Sequence, residues 1–287
     1  TFSNIIYGGY SQNGTASGNK VKIVNEGING VTFSNDIIGG MGVSASGNEV
    51  TIEKGTFSGV NIYGGYSFSG QATNNSVTIK GGTFSGSICG GNSKNGSATN
   101  NSVIINDGTF NGCIYGGYGV HARGNEVVIN GGTIKNSVYG GKAVGSPGID
   151  GEAIGNIVTI SGGKFEDHMF NLYGGSASRG QSSGNILNLK TKIDGKANEV
   201  KYFQTMNFTL PAGIQAGDTM LKTTKLAVNG DSGGSATVNV YAANGVKLEA
   251  GDVITLIQSG ETYDNFTGGD VLDGAGEISL VDNDLIL

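Results

Sequence analysis

Little in this sequence supports reactive, stapling or membrane-spanning chemistry. Tryptophan is absent, and cysteine, proline and histidine occur 2 times each. Two cysteines in 287 residues exclude a disulfide framework. Two prolines, and glycines without an every-third-residue period, exclude a collagen-like chain although glycine reaches 54. No apolar run approaches the ~20 residues that a membrane-spanning helix needs. The 17 basic residues are scattered singly against 23 acidic ones, for a net charge of −6, so no basic stripe is available for phosphates and nucleic acid is an unexpected partner. His121 and His168 fall in different repeats, which argues against a histidine-rich metal site and for solvated loop histidines. No signal peptide is present, and the chain starts on Thr1-Phe2 in mid-repeat, so the expectation is a piece of a longer protein.

What is abundant is repetition. Gly-Gly pairs begin at Gly8, Gly39, Gly64, Gly90, Gly116, Gly140 and Gly174, in steps of 31, 25, 26, 26, 24 and 34 residues. Three short apolar pieces recur in each step. The first alternates with period two: Val21/Ile23, Val50/Ile52, Val77/Ile79, Val103/Ile105, Val127/Ile129, Val158/Ile160 and Leu187/Leu189. The second is Phe33, Phe57, Phe84, Phe110, Ile134 and Phe165, usually within GTF. The third is Ile6, Ile37, Ile62, Ile88, Ile114, Val138 and Leu172, just before the YGG position. No helical period occurs. Three strands of ~3 to 5 residues and three turns make one rung of a parallel β-helix, and no rung can bury its own apolar residues without a neighbour. The expected fold is therefore all-β: a three-sided parallel β-helix (β-solenoid) of about seven irregular rungs of 24–34 residues over residues 1–190, then a β-rich continuation or cap over 191–287.

The polar columns fit the same winding. Asn19, Asn48, Asn75, Asn101, Asn125, Asn156 and Asn185 each precede the first strand, where side-chain amides at strand spacing form a hydrogen-bonded ladder. Glycosylation is the alternative, since Asn13, Asn74 and Asn100 begin sequons, but most of the column lacks one. Cys89 occupies the slot of Tyr115, and Cys113 that of Ser87. That offset of roughly 8 Å between Cα atoms on stacked strands is too long for an unstrained bridge, so free thiols are expected.

After Leu189 the repeat loses phase while strand-like alternation continues in TMNFTL, ATVNVYA, DVITLIQ and EISLVDNDLIL, which reads as sheet capping the open end. The tandem IYGG…GN.V.I.GGTF copies, followed by GNILNLKTKIDGKANEVKYFQTMNFTLPAGIQAGDTM at 184–220, resemble the passenger region of adhesin-like bacterial autotransporters. The resemblance implies a right-handed β-helix exported through a C-terminal outer-membrane barrel, with the barrel-proximal segment assisting folding. It also implies location at the bacterial cell surface and membrane contact only through a barrel, which this sequence lacks.

The enzymatic alternatives have few residues to draw on. No Ser, His and Asp set for a serine hydrolase can be drawn from the sequence, and the nonapeptide calcium signature does not occur. A β-helix polysaccharide lyase or hydrolase needs clustered carboxylates, and the one concentration is Asp150, Glu152, Glu166, Asp167 and His168 in the longest repeat, where solvated loop acids are the plainer reading. Ice binding needs flat ranks of threonine; Thr32/Ser34, Thr56/Ser58 and Thr83/Ser85 begin such ranks, but Lys164/Glu166 ends them. The reading retained is a non-catalytic adhesin or adhesin stalk, monomeric as a fragment, without metal or cofactor, whose partner is a host or bacterial surface glycan or protein. Its candidate ligand-binding residues are Tyr63, Tyr66, Tyr115, Tyr118, Tyr139 and Tyr173, which alternation directs outward, with Asp150 and Glu152 in the 144–154 excursion. A tyrosine ladder stacked only on itself is the alternative.

Overall fold

The computed structural model describes residues 1–24, 32–167, 169–178, 180–231, 234–262 and 264–287. It is a parallel β-solenoid of about nine turns. Three sheets run along it. A ten-stranded sheet stacks the Val/Ile strands, a six-stranded sheet stacks the two-residue Thr-Phe strands, and a long sheet carries the YGG strands. Among the described residues the helical content is one 3₁₀ turn, Leu272–Gly274, and no helix is long and apolar enough to cross a membrane.

Register is held column by column. Val50, Val77, Val103 and Val127 pair in succession, as do Ile52, Ile79, Ile105 and Ile129 on the same strands. All of these are fully buried, as are Ile62, Ile114 and Val138 of the long sheet. Removing such a side chain from water contributes roughly 1.5 to 3 kcal/mol, and the stack lets every rung do so against two neighbours. The phenylalanines use their faces: Phe33, Phe57, Phe84 and Phe110 stack with ring centroids 4.7, 4.7 and 5.1 Å apart and planes within 8°. That spacing matches the distance between strands, so one ring per rung fills the column continuously.

The asparagine column lies at a buried corner. Asn48, Asn75, Asn101, Asn125, Asn156 and Asn185 are fully buried. Nδ2 of each of the first six donates to Oδ1 of the next, from Asn19 to Asn185, at 2.8 to 3.0 Å. The same Oδ1 atoms also accept the backbone N–H of the preceding asparagine. From Asn48 onward, Nδ2 also donates to the carbonyl of Ala16, Ala45, Ala72, Ala98, Ala122 or Ala153 in the preceding rung. The residue before each ladder asparagine turns the corner in the left-handed region, and that residue is glycine except at Asn74 and Asn100 (φ 55° and 53°). Asparagine tolerates this conformation better than other side chains, which accounts for the Asn-Asn pairs and leaves Asn74 and Asn100 exposed.

Of the two readings for residues 191–287, continuation or cap, most of the segment follows the first. Met206/Phe208 of Thr205–Leu210 continue the columns of Leu187/Leu189, and Val238/Val240 of Ser235–Ala242 continue them again. Lys196–Lys201, Thr219–Asp231 and Thr255–Thr262 likewise extend the long sheet in parallel. What these turns drop is the Thr-Phe strand, which ends at Lys164–Phe165. Capping is left to the antiparallel hairpin Ser279–Val281/Asp284–Ile286, which covers the edge of Thr255–Thr262 and buries Leu285.

The corner ladder also extends past Asn185. Its backbone N–H donates to Oε1 of Gln204 (3.0 Å), and Gln204 Nε2 donates to the Val228 carbonyl (2.8 Å). The Val228 N–H in turn donates to Oδ2 of the buried Asp264 (2.5 Å). Burial pushes the Asp264 carboxyl up, against the downward pull of the N–H groups of Val228, Asn229 and Gly234. A carboxyl raised on folding contributes stability that is complete below its unfolded value and is lost as pH rises through the folded value. Asp264→Asn keeps an acceptor and removes the charge. It is expected to melt higher than the wild type near neutral pH, with the gap closing as pH falls towards the ordinary aspartate value of 3.8. Thermal melts across that range test this, and a gap that widens on acidification would contradict it.

Candidate binding surface

Within each YGG strand the aliphatic residue points inward and the tyrosine outward, so Tyr63, Tyr115, Tyr139 and Tyr173 share one half-buried column. Ile38 and Cys89 occupy the same column and are buried. A second column, beyond the glycines, carries Tyr10, Met41, Tyr66, Asn92, Tyr118 and Lys142 in register. The two columns meet edge to face across the Gly-Gly pair, Tyr63 with Tyr66 at 5.4 Å and Tyr115 with Tyr118 at 5.6 Å.

Along the axis the rings turn their faces to one another. Tyr115 and Tyr139 stack at 4.9 Å, and Tyr139 and Tyr173 at 4.7 Å. The stripe therefore presents ring edges and hydroxyl groups to solvent rather than open aromatic faces. Lys142 Nζ lies 5.0 Å from the Tyr139 ring centre, 5.8 Å from that of Tyr115 and 6.0 Å from that of Tyr118, a cation–π arrangement. Tyr173 donates its hydroxyl to Glu199 Oε2 (2.5 Å), whose other oxygen pairs with Lys201 at 2.7 Å. Burial pushes the Glu199 carboxyl up, but bonds from Lys201 and Tyr173 outweigh this and hold it below its ordinary value. Burial also raises the hydroxyls of Tyr63, Tyr115, Tyr118, Tyr139 and Tyr173, so all remain protonated donors through the physiological range.

The acidic residues do not come together. Glu152 lies on the long sheet, ion-paired with Arg123, with His121 Nδ1 3.6 Å away. The Arg123 bond and charge hold its carboxyl below the ordinary value. Asp150 is exposed beside the 144–149 excursion, which closes through the reciprocal backbone bonds of Ser146 and Ile149 (2.9 and 2.8 Å). Glu166 follows the Thr-Phe sheet and pairs with Lys135 at 2.8 Å, while Asp167 accepts the Lys196 N–H at 2.6 Å. His168 lies outside the described residues. Among the described residues no three His, Cys, Asp or Glu side chains are grouped to hold a metal ion. Cys89 and Cys113 are free thiols, and burial pushes that of Cys89 up, which keeps it in the unreactive thiol form.

Two further columns had a weaker sequence signal. Alanine precedes each ladder asparagine by three residues from Ala16 to Ala153, and its small side chain is buried. On the outer face of the Val/Ile sheet a second ladder joins Asn239, Asn207 and Asn188 at 2.7 and 2.8 Å and ends on Thr159 Oγ1 at 3.1 Å. Together these features define a parallel β-solenoid with a tyrosine stripe along one outer face. The chain matches none of the protein-family models, curated proteins or solved structures with which it was compared.

Proposed function

We propose that the chain is a non-catalytic adhesin, or the stalk of one, held at a bacterial cell surface in the manner of the autotransporter passengers that its repeats resemble. Its partner is a surface glycan or protein. The observation that carries this reading is the tyrosine stripe: tyrosine rings stacked with centroids 4.7 and 4.9 Å apart beside the Lys142 ammonium, on a scaffold that otherwise repeats small polar residues. Rigid tyrosines presenting an apolar edge and a donor suit recognition, since they lose little freedom on binding. The carboxylates of the longest repeat support catalysis less well, because Glu152 and Glu166 are each paired to a cation.

The test is adherence of cells that display the protein with Tyr115, Tyr118 and Tyr139 replaced together by alanine, alongside binding of the purified protein to a glycan array. The rings lie outside the core columns, so the β spectrum should persist. Loss of even one interfacial anchor typically costs over ~1 kcal/mol, so the triple variant should bind at least about tenfold more weakly. Normal adherence by a folded triple variant would place recognition elsewhere and leave this stripe a structural ladder. Release of saccharide products would instead favour the lyase or hydrolase.

A further inference from the structure

The cross-section of the solenoid narrows at one point, and the step forms a cavity. The alanine-bearing strands stack as far as Gly180–Ser183, which pairs with Gly151–Ile154 on one side. Among the described residues no strand pairs with its other side, because the next rung runs from Lys196–Lys201 through Tyr202 directly into Thr205–Leu210. The missing strand leaves a notch of about 410 Å³, within the size range of small-molecule sites.

Its walls mix polar and apolar surface. Gln181, Ser182, Ser183, Tyr202, Gln204 and Asn229 supply the polar side chains beside Ala177 and Gly180, and no charged side chain lines it among the described residues. Gln204 is occupied by the corner ladder, whereas the side chains of Gln181, Ser183 and Asn229 make no hydrogen bond to the described residues. Tyr202 is the second notable feature. Its φ of 63° is left-handed, two residues before Gln204, whereas in the preceding rungs the left-handed residue is the glycine or asparagine directly before the ladder amide, and such a conformation is rare for a bulky side chain. The turn buries Phe203 and sends Gln204 to the ladder, while the Tyr202 ring stands in the notch wall. That ring ends the tyrosine stack, 6.1 Å from Tyr173 and tilted by 39°, and the following rung places Ala227 opposite Lys201, so no aromatic side chain continues the stack.

We propose that this notch binds a neutral saccharide unit, with the sugar ring against Tyr202 and its hydroxyls bonded to Gln181, Ser183 and Asn229. Carboxamides offer a donor and an acceptor side by side, which suits adjacent sugar hydroxyls, and a tyrosine face suits the apolar C–H face of a pyranose. A phosphate or carboxylate ligand would call for cationic partners. Addition of a peptide strand is disfavoured because the free edge is only the 4 residues of Gly180–Ser183. The site adjoins the end of the tyrosine stripe at Tyr202 but includes none of Tyr115, Tyr118 and Tyr139, and it does not depend on the function proposed for them.

Saturation-transfer NMR tests the assignment with the methyl glycosides of glucose, galactose, mannose, N-acetylglucosamine and N-acetylgalactosamine at millimolar concentration. At least one is expected to bind, and Tyr202→Gly should weaken it about tenfold or more. Glycine adopts the left-handed turn without strain, so the melting temperature of this variant should be unchanged or raised, which separates lost binding from lost fold. Gln181→Ala combined with Asn229→Ala should weaken binding comparably, while the Tyr115, Tyr118 and Tyr139 triple variant should leave it intact. The proposal is overturned if none of the glycosides binds, if only sialylated or sulfated sugars bind, or if binding persists at full strength in Tyr202→Gly. It is equally overturned if the stripe variant alone abolishes binding.

Discussion

Asn101→Ala is expected to lower stability by roughly 4 kcal/mol, against about 0.5 kcal/mol or less for Asn95→Ala. The Asn101 carboxamide donates to Asn125 Oδ1 and to the Ala72 carbonyl, and accepts from both the backbone N–H and Nδ2 of Asn75. Alanine deletes all four side-chain bonds and leaves the donors of Asn75 buried where water does not replace the lost partner. Each buried group left unpaired costs about 1 to 3 kcal/mol, so partial relaxation of the corner still leaves a sum of this order. Asn95 is exposed and donates a single bond, to the Phe68 carbonyl at 3.0 Å, which water can replace. Because stability in a solenoid is carried between nearest neighbours, the lesion should also weaken coupling between the rungs on either side and broaden the urea transition. Coincident melting curves for the two variants would contradict the ladder's energetic role.

The apolar columns and the ladder were legible because every one of their members repeats the same local environment. A Val/Ile pair, a Phe and an Ile per rung, at nearly constant separation, require like residues to stack, and one buried amide per rung requires a partner in the next. The later turns were not legible because spacing, the signal itself, fails there. Ladder asparagines are 24 to 31 residues apart, whereas the in-register pair Asn188 and Asn207 is separated by 19 and Asn207 and Asn239 by 32. The strands keep their columns while the loops change length, so alternation survives and period does not. Gln204 escaped notice for a related reason. It joins the ladder from a corner without the usual Gly-Asn pair, using a side chain one methylene longer than asparagine. For the tyrosines, alternation predicts the outward direction but not that the rings face one another, since this follows from side-chain rotamers and the strand spacing.

Gly117→Ala should be damaging on a similar scale, with an expected cost of roughly 3 kcal/mol or more from overpacking alone. The Gly-Gly pair marks where the long sheet passes over the corner amides. A methyl group built on Gly117 would lie 2.6 Å from Nδ2 of Asn125 and nearer still to its Oδ1. The amide cannot swing aside, because Asn125 donates to Asn156 Oδ1 at 3.0 Å and to the Ala98 carbonyl at 3.0 Å while accepting from Asn101. Relief therefore requires either breaking the ladder or separating two rungs that are also bound by the long sheet. Gly47→Ala provides the contrast: its φ of 62° makes alanine strained, but no neighbouring atom lies within 4 Å of the added carbon. That variant should cost only about 1 to 2 kcal/mol. A double-mutant cycle separates steric conflict from backbone strain. Asn125→Ala removes the group that the Gly117 methyl would strike, so the combined Gly117→Ala and Asn125→Ala variant should lose markedly less stability than the sum of the two single losses. Additive losses in chemical denaturation would mean that the second glycine is required for its backbone conformation rather than for the space it leaves to the asparagine.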